Sequence, residues 1–202
     1  MPLKVFALNC TLKPGSKTSS TDKLLGEAVK EFEKLGAKGE IVRAADHNIK
    51  PGVKSDEGKG DAWPKLRARL LDADVFILGT PIWLGQPSSI AKRVMERMDA
   101  FLEEKDKQGR MPAYGKVALA AIVGNEDGAH HCSAEIFQAL NDVGFTVPAN
   151  GMTYWVGEAM GDTDYKDLRK PYKKTVEATR MMVRNAAHLA ELLKAKPYPG
   201  KK

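Results

Sequence analysis

The sequence predicts an α/β domain, a doubly wound five-stranded parallel sheet with helices on both faces. Three observations carry this. Short, nearly continuous apolar runs alternate with segments whose apolar residues recur at helical spacing. The central runs are apolar throughout, as strands covered on both faces must be. Polar or glycine-bearing loops stand just after the first, third and fourth runs: Asn9–Asp22, Thr80–Ser89 and Gly124–His131. In open α/β sheets such loops collect at the carboxyl ends of the strands, where ligands bind.

Leu3–Asn9 reads as the first strand. From Thr21 to Leu35, residues Leu24, Leu25, Ala28, Val29, Phe32 and Leu35 form one helical stripe, and Gly36 and Gly39 punctuate its end. Glu40–Ala44 is the second strand, so the opening is a βαβ unit with a right-handed crossover. Asp46–Asp61 is polar and rich in Gly and Lys, a long exposed loop before a short helix at Trp63–Leu71. Ala73–Gly79 is the third strand, followed by a helix over Ser89–Leu102. Lys116–Gly124 is the fourth strand and Ser133–Val143 the next helix. The fifth strand region begins at Phe145–Val147 and resumes at Met152–Val156 after a break at Pro148–Gly151. The last helix covers Tyr172–Lys194. An early switch point among five strands gives the flavodoxin-like order 2-1-3-4-5. Residues 1–195 are expected to form one domain and 196–202 a flexible basic tail.

The first loop is dense in hydroxyls. Thr11, Ser16, Thr18, Ser19, Ser20 and Thr21 surround Gly15, with Lys13 and Lys17 to offset negative charge. Backbone amides and a helix start add donors, which together suit a phosphate. No GxxxxGK[ST] and no GxGxxG is present, which counts against an ATPase and a dinucleotide dehydrogenase. The simpler reading is a polar loop that caps the helix through Ser20 or Thr21, and one hydroxyl can do both.

In the second loop, Pro81, Ile82, Trp83, Leu84 and Gly85 set aromatic and aliphatic side chains on a fixed turn, suited to a planar ring. Its exposed amides are expected to face polar ring atoms, and Ser88 or Ser89 to cap the next helix. Trp83 as a packing anchor or oligomer contact is the alternative. In the third loop, Gly124, Asn125, Glu126, Asp127 and Gly128 offer close backbone approach and polar groups for ring or ribityl oxygens. Three such loops suggest one large ligand that is both polar and aromatic, and flavin mononucleotide (FMN) fits it best among common cofactors.

No catalytic residue is assigned. Glu126 and Asp127 look like an acid pair but are given no general acid–base role, and Cys10 reads as a small partly buried residue rather than a nucleophile. His130, His131 and Cys132 lack a third ligand at metal spacing, so no metal is expected. A hydrogen-bonding or proton-relay place for His130 beside the cofactor is the sharper alternative. Of 202 residues 43% are hydrophobic and 29% charged, the composition of an ordinary soluble domain. No stretch approaches the roughly 20 apolar residues of a membrane span. The opening MPLKVFALNC lacks a signal peptide's features, which points to the cytoplasm. The formal charge of +6 is scattered among acids without a basic–aromatic patch, so nucleic acid is not the expected partner. The basic balance suits anionic, phosphate-bearing ligands instead.

These residues carry a resemblance. Gly79–Asp99, GTPIWLGQPSSIAKRVMERMD, is similar to the TP-x-[YW]-x-G-x-x-S-x-x-x-K-x-x-x-[DE]-R loop and helix of NAD(P)H-dependent FMN reductases and quinone reductases. Pro81, Trp83, Gly85, Ser88, Lys92 and Arg97 fall at or near matching places. The first loop resembles that family's NGSPR…GNT pattern through Asn9, Thr11, Ser20 and Thr21, with Cys10 in place of glycine and Ser20 in place of asparagine. The likeness runs from about Pro2 to Val156. Relatives of the iron–sulfur flavoprotein type carry cysteines after the second strand; Asp46–Trp63 has none, so flavin alone is expected.

The resemblance implies noncovalent FMN, with its phosphate in the first loop and its ring between the second and third. It implies NADPH or NADH as hydride donor and a quinone, free flavin, or nitro- or azo-aromatic compound as small-molecule acceptor. It also implies a homodimer or homotetramer. A donor near the ring's N1/O2 edge is expected from Asn125 or an amide of the third loop. A flavodoxin-like electron carrier served by a partner reductase is the alternative.

Overall fold

The structure is a computed structural model that describes residues 1–201. Its central strand, β3 (Val75–Trp83), lies between β1 (Lys4–Asn9) and β5 (Val117–Gly124), all parallel. β2 (Lys38–Arg43) flanks β1 and β6 (Met152–Val156) flanks β5. A two-residue strand, β4 (Gln86–Pro87), pairs antiparallel with the end of β3. The order β2-β1-β3-β5-β6 is the expected 2-1-3-4-5 once β4 is set aside.

Alternation along the central strands builds two cores. Val5, Ala7, Val75, Ile77, Leu119 and Ala121 point to the face covered by α1 (Ser20–Lys34) and α5 (Lys173–Ala195). Phe6, Leu8, Phe76, Leu78, Ala120 and Ile122 point the other way, towards α2 (Trp63–Asp72), α3 (Ser89–Arg97) and α4 (Ala129–Asp142). Phe76 stacks between Phe6 and Phe145 at ring separations of 6.3 and 5.7 Å. Both faces being apolar explains why these runs carry no polar alternation.

Several boundaries differ from those read in the sequence. β3 does not stop at Gly79 but continues to Trp83 and folds back through Leu84 and Gly85, whose φ values are +53° and +73°. Positive φ at both central residues closes a two-residue hairpin. α1 is capped by Ser19, whose hydroxyl accepts from the Thr21 N–H at 3.1 Å, rather than by Ser20 or Thr21. Gly39 lies inside β2, which runs over Lys38–Arg43 rather than Glu40–Ala44. The helix expected from Ser133 begins at Ala129, because Gly128 at φ +123° ends the loop there and its carbonyl accepts from Cys132 N. The helix expected to Leu102 ends at Arg97, followed by a 3-10 turn at Asp99–Leu102. Phe145–Val147 makes only a bridge, Val117 to Thr146.

The polar stretch after β2 is largely exposed, as expected, but it is pinned from beneath. Arg97 and Asp61 are an ion pair at 2.8 Å whose side chains have no solvent exposure. Arg97 also donates to the carbonyls of Lys50 and Lys54, and Asp61 accepts from the backbone N–H groups of Lys50, Glu57 and Trp63. A side chain from α3 and one from the segment itself thus replace water for this irregular backbone. At the other end of the chain, Tyr198 meets Tyr114 edge-on and its hydroxyl lies 3.0 Å from that of Thr146. Lys201 N donates to Gln108 O, and the last residue of the expected tail, Lys202, lies outside the described residues. Among the described residues no helix is long and apolar enough to cross a membrane.

Burial alone would raise the Asp61 pKa, but the Arg97 hydrogen bond and the three backbone N–H groups outweigh it and hold the carboxyl well below its usual range. Its stabilisation is therefore fully present above about pH 4 and is lost as the pH falls towards the folded value. Arg97→Met, which leaves Asp61 buried without its cation, is expected to cost about 3–5 kcal/mol in denaturant unfolding. Asp61→Asn is expected to flatten the fall in melting temperature below pH 4. An acid limb unchanged in that variant would assign acid sensitivity to other carboxylates.

Candidate functional site

The loops that follow β1, β3 and β5 meet over the carboxyl edge of the sheet and enclose a cleft of about 490 Å³. Thr11, Lys13, Ser19, Ser20 and Thr21 line one end. Pro81, Ile82, Trp83 and Leu84 line a second side, and Gly124, Asn125 and Glu126 the third. Thr18, Gly85, Asp127 and Gly128, singled out in the sequence, lie off this lining. Leu12, Val123, Met160 and Asp164 complete it.

The polar end is braced from below. The Asn9 side chain accepts from Thr11 N at 2.9 Å and donates to Asp22, tying the end of β1 to the first turn of α1. Of that turn's amides, which have no partner within the helix, Thr21 N is taken by Ser19. Asp46 accepts from Gly15 N at 2.7 Å. Ser88 caps α3 through Ala91 N while its hydroxyl donates to Cys10 O at 2.6 Å, joining the first loop to the second. Cys10 is fully buried, and burial pushes its thiol far above the ordinary range, which leaves no reactive thiolate at the cleft. Cys132, beside the Gly85 carbonyl, is pushed up to about 11, first by burial and then by Glu135 and Glu126.

The hairpin tip is held differently from the expectation. The amides of Leu84 and Gly85, expected to face a ring, donate to the two carboxylate oxygens of Glu126 at 3.0 and 3.3 Å. Gly128 must be glycine here, since a Cβ would lie 2.7 Å from the Gly85 carbonyl oxygen. The second and third loops are thereby locked together, backbone against backbone. Trp83 is 52% exposed and Leu84 91% exposed, so neither anchors the core. Leu84 sits in the left-handed region, which costs a branched side chain about 1–2 kcal/mol.

Asn125 uses its side-chain NH₂ on Gly161 O and Asp164 Oδ1, both at 3.2 Å, so donors towards the cleft fall to the main chain of its loop. These bonds hold the segment after β6 against the rim and set Met160, 95% exposed and at φ +62°, beside the opening. Tyr165 roots that segment: it is buried against Trp155 and under the Lys23 ammonium, and its hydroxyl donates to Glu27. His130 does not reach the cleft. It packs edge-on to Tyr154 and lines a separate hollow with Met152 and Met181. His131 pairs with Glu135 and contacts Gln86. Among the described residues no cluster of His, Cys, Asp or Glu is placed to hold a metal.

Sequence reasoning missed Asp46, Met160 and Asp164, which contribute from segments without a motif. It also missed Arg43. In the order 2-1-3 the end of β2 must adjoin the first loop, and Arg43 pairs in register with Asn9; that adjacency was the available signal.

The family model described as NADPH-dependent FMN reductase matches residues 3–161, which include all three loops and Met160. The chain belongs to that family. The family is one of flavin-dependent oxidoreductases. The chain is also similar to 8-demethyl-8-aminoriboflavin-5'-phosphate synthase of Streptomyces davaonensis, at 34% identity over 208 residues, covering 98% of this chain and 81% of that protein. A crystal structure of RosB with the bound intermediate 8-demethyl-8-formylriboflavin-5'-phosphate superposes at a TM-score of 0.88 with 33% identity, over 98% of this chain and 82% of that one. A Mycobacterium bovis protein named divalent metal cation transporter MntH is 34% identical over 200 residues, 96% of this chain. The chain spans only 29% of that protein, so the likeness concerns that portion alone.

Replacing Leu84 by Asn, which tolerates positive φ, is expected to raise stability by about 1 kcal/mol. Glu126→Ala is expected to lower it, because two hairpin amides lose their acceptor. Urea midpoints measure both. A destabilised Leu84→Asn variant would mean that the leucine gains more from packing than its backbone loses.

Proposed function

We propose that the chain is an FMN-dependent NAD(P)H oxidoreductase that passes hydride from NADPH or NADH to a small-molecule acceptor such as a quinone, free flavin, or nitro- or azo-aromatic compound. One observation carries this reading: in a chain of this family, a single cleft joins a hydroxyl-dense end to an apolar, aromatic end. The fit to FMN is chemical as well as familial. Thr11, Ser19, Ser20 and Thr21, with Lys13, suit a phosphate at one end, and Pro81, Ile82, Trp83 and Val123 suit a planar ring at the other. FMN, when bound, supplies acceptance of hydride from a nicotinamide and release of electrons to a second substrate.

The protein's own part is to bind, orient and shield. With FMN bound, Ser20 and Thr21 would hold the phosphate, and Ile82 and the Gly124 backbone would lie beside the ring. Leu12, Trp83, Leu84 and Met160 form an apolar rim on which nicotinamide and acceptor take turns. Main-chain N–H groups of the third loop would be the donors available to polar atoms of the ring, since the Asn125 side-chain NH₂ is engaged by Gly161 and Asp164. No side-chain acid or base is required. The protein works in the cytoplasm as a homodimer or homotetramer, without a nucleic-acid or membrane partner.

The likeness to a protein with a bound flavin intermediate favours one further reading, in which riboflavin 5'-phosphate is itself the substrate. A single experiment separates these. Purified protein with added FMN is followed by absorption before and after anaerobic NADPH, and separately NADH, and the flavin is then weighed by mass spectrometry. Bleaching by either nucleotide with unchanged flavin mass is the expected result. Bound flavin that resists both nucleotides would point to an electron carrier, and a changed flavin mass to flavin modification. Ser20→Ala with Thr21→Ala is expected to weaken FMN retention at least about tenfold. Unchanged affinity would remove the phosphate from this end.

A further inference from the structure

We propose that Arg43, at the end of β2, is a positioning residue for phosphate recognition: it shapes the first loop without touching the ligand. This rests on the reading above that the cleft takes FMN with its phosphate at the first loop. Arg43 does not line the cleft. Its side chain is only 12% exposed, and its Nη1 donates to three carbonyls of that loop: Pro14 at 2.6 Å, Lys17 at 2.8 Å and Lys13 at 3.4 Å. Nη2 pairs with Asp22, in the first turn of α1. One guanidinium thus ties the loop at three points and fastens it to the helix it precedes.

The geometry of a trans peptide gives this consequence. The C=O of one residue and the N–H of the next point in opposite directions across a planar unit. With the Lys17 carbonyl fixed on Arg43, the Thr18 N–H is turned away from Arg43. With the Pro14 carbonyl fixed likewise, the Gly15 N–H is turned to the opposite side, where Asp46 accepts it. Arg43 and Asp46, at the end of β2 and in the 3-10 turn just after it, therefore brace the loop from its two sides. Without the guanidinium, the Pro14 carbonyl would keep only the Lys17 N–H at 2.9 Å, and the Lys13 and Lys17 carbonyls would be released to turn, towards an incoming phosphate among other directions. A phosphate site needs the reverse, hydroxyls inward and carbonyls outward; Gly15 and Thr18 do not line the cleft, so the bracing acts through Ser19 and Ser20, the next residues along, which do. Because Asp22 neutralises its charge, Arg43 acts through direction rather than through attraction. The planar fork holds Nη1 on the loop carbonyls and Nη2 on Asp22 at fixed directions at the same time, which a compact ammonium on a flexible stem does not.

The test compares FMN with riboflavin, which lacks the phosphate, by fluorescence titration of wild type, Arg43→Met and Arg43→Lys, with melting temperatures recorded alongside. The expected result is a fall of about 30-fold in FMN affinity for Arg43→Met, with riboflavin affinity changed by less than about threefold. Arg43→Lys is expected to lose at least about fivefold of the FMN-to-riboflavin ratio although it keeps the charge. If Arg43→Met does not fold, Arg43→Lys alone decides. A ratio equal to that of wild type in Arg43→Lys, or a lowered melting temperature with an unchanged ratio in either variant, overturns the proposal. Wild type that binds no FMN, or binds FMN no better than riboflavin, overturns the underlying reading and the proposal with it. Wild type that prefers FMN while the variants keep that preference overturns the role of Arg43 alone.

Discussion

A parallel sheet covered on both faces leaves its chain one place for adaptable polar backbone, the strand ends. β1, β3 and β5 are apolar on both sides because α1 and α5 cover one face and α2, α3 and α4 the other. No polar group can stand mid-strand without losing its water. The loops that leave these strands at their carboxyl ends therefore hold the hydroxyls, amides and exposed aromatic ring, and they converge because the strands are neighbours. The cleft follows from the burial of the sheet.

Irregular backbone needs acceptors and donors that regular structure would otherwise supply. Here charged side chains provide them repeatedly. Asp46 takes an amide of the first loop, Glu126 takes two from the hairpin, and Asp61 takes two from the segment after β2 and one from the start of α2. Arg43 and Arg97 do the same for carbonyls. Much of the acid and base content near the cleft is thus committed to shaping backbone. That agrees with a chemistry in which a bound cofactor, rather than a side chain, does the transfer.

The fold was legible because its signals are local. Apolar runs such as VFIL and VALAAIV can only be buried strands, and the order follows from alternation and the early switch. The three loops were legible for the same reason: each begins where an apolar run stops. What escaped was long-range. That Glu126, on the cleft lining, would also accept from the hairpin amides depends on the contact of Gly85 with Gly128, between residues 43 positions apart. Arg97 was visible as part of a motif, yet its task as the anchor of a polar loop appears only when Asp61 is seen beside it. The start of α4 was misread because His130 and His131 hid a turn that Gly128 had already opened.

Ser20 joins two parts of the molecule that the chain separates widely. Its hydroxyl oxygen accepts from Lys166 N at 3.2 Å while its side chain lines the cleft. With one lone pair so engaged, the hydroxyl keeps its proton to donate. The segment rooted by Tyr165 therefore acts on the far end of the cleft as well as on its rim. By fixing where Ser20 accepts, it restricts where Ser20 can give, and an anion arriving there meets a donor whose direction is already chosen.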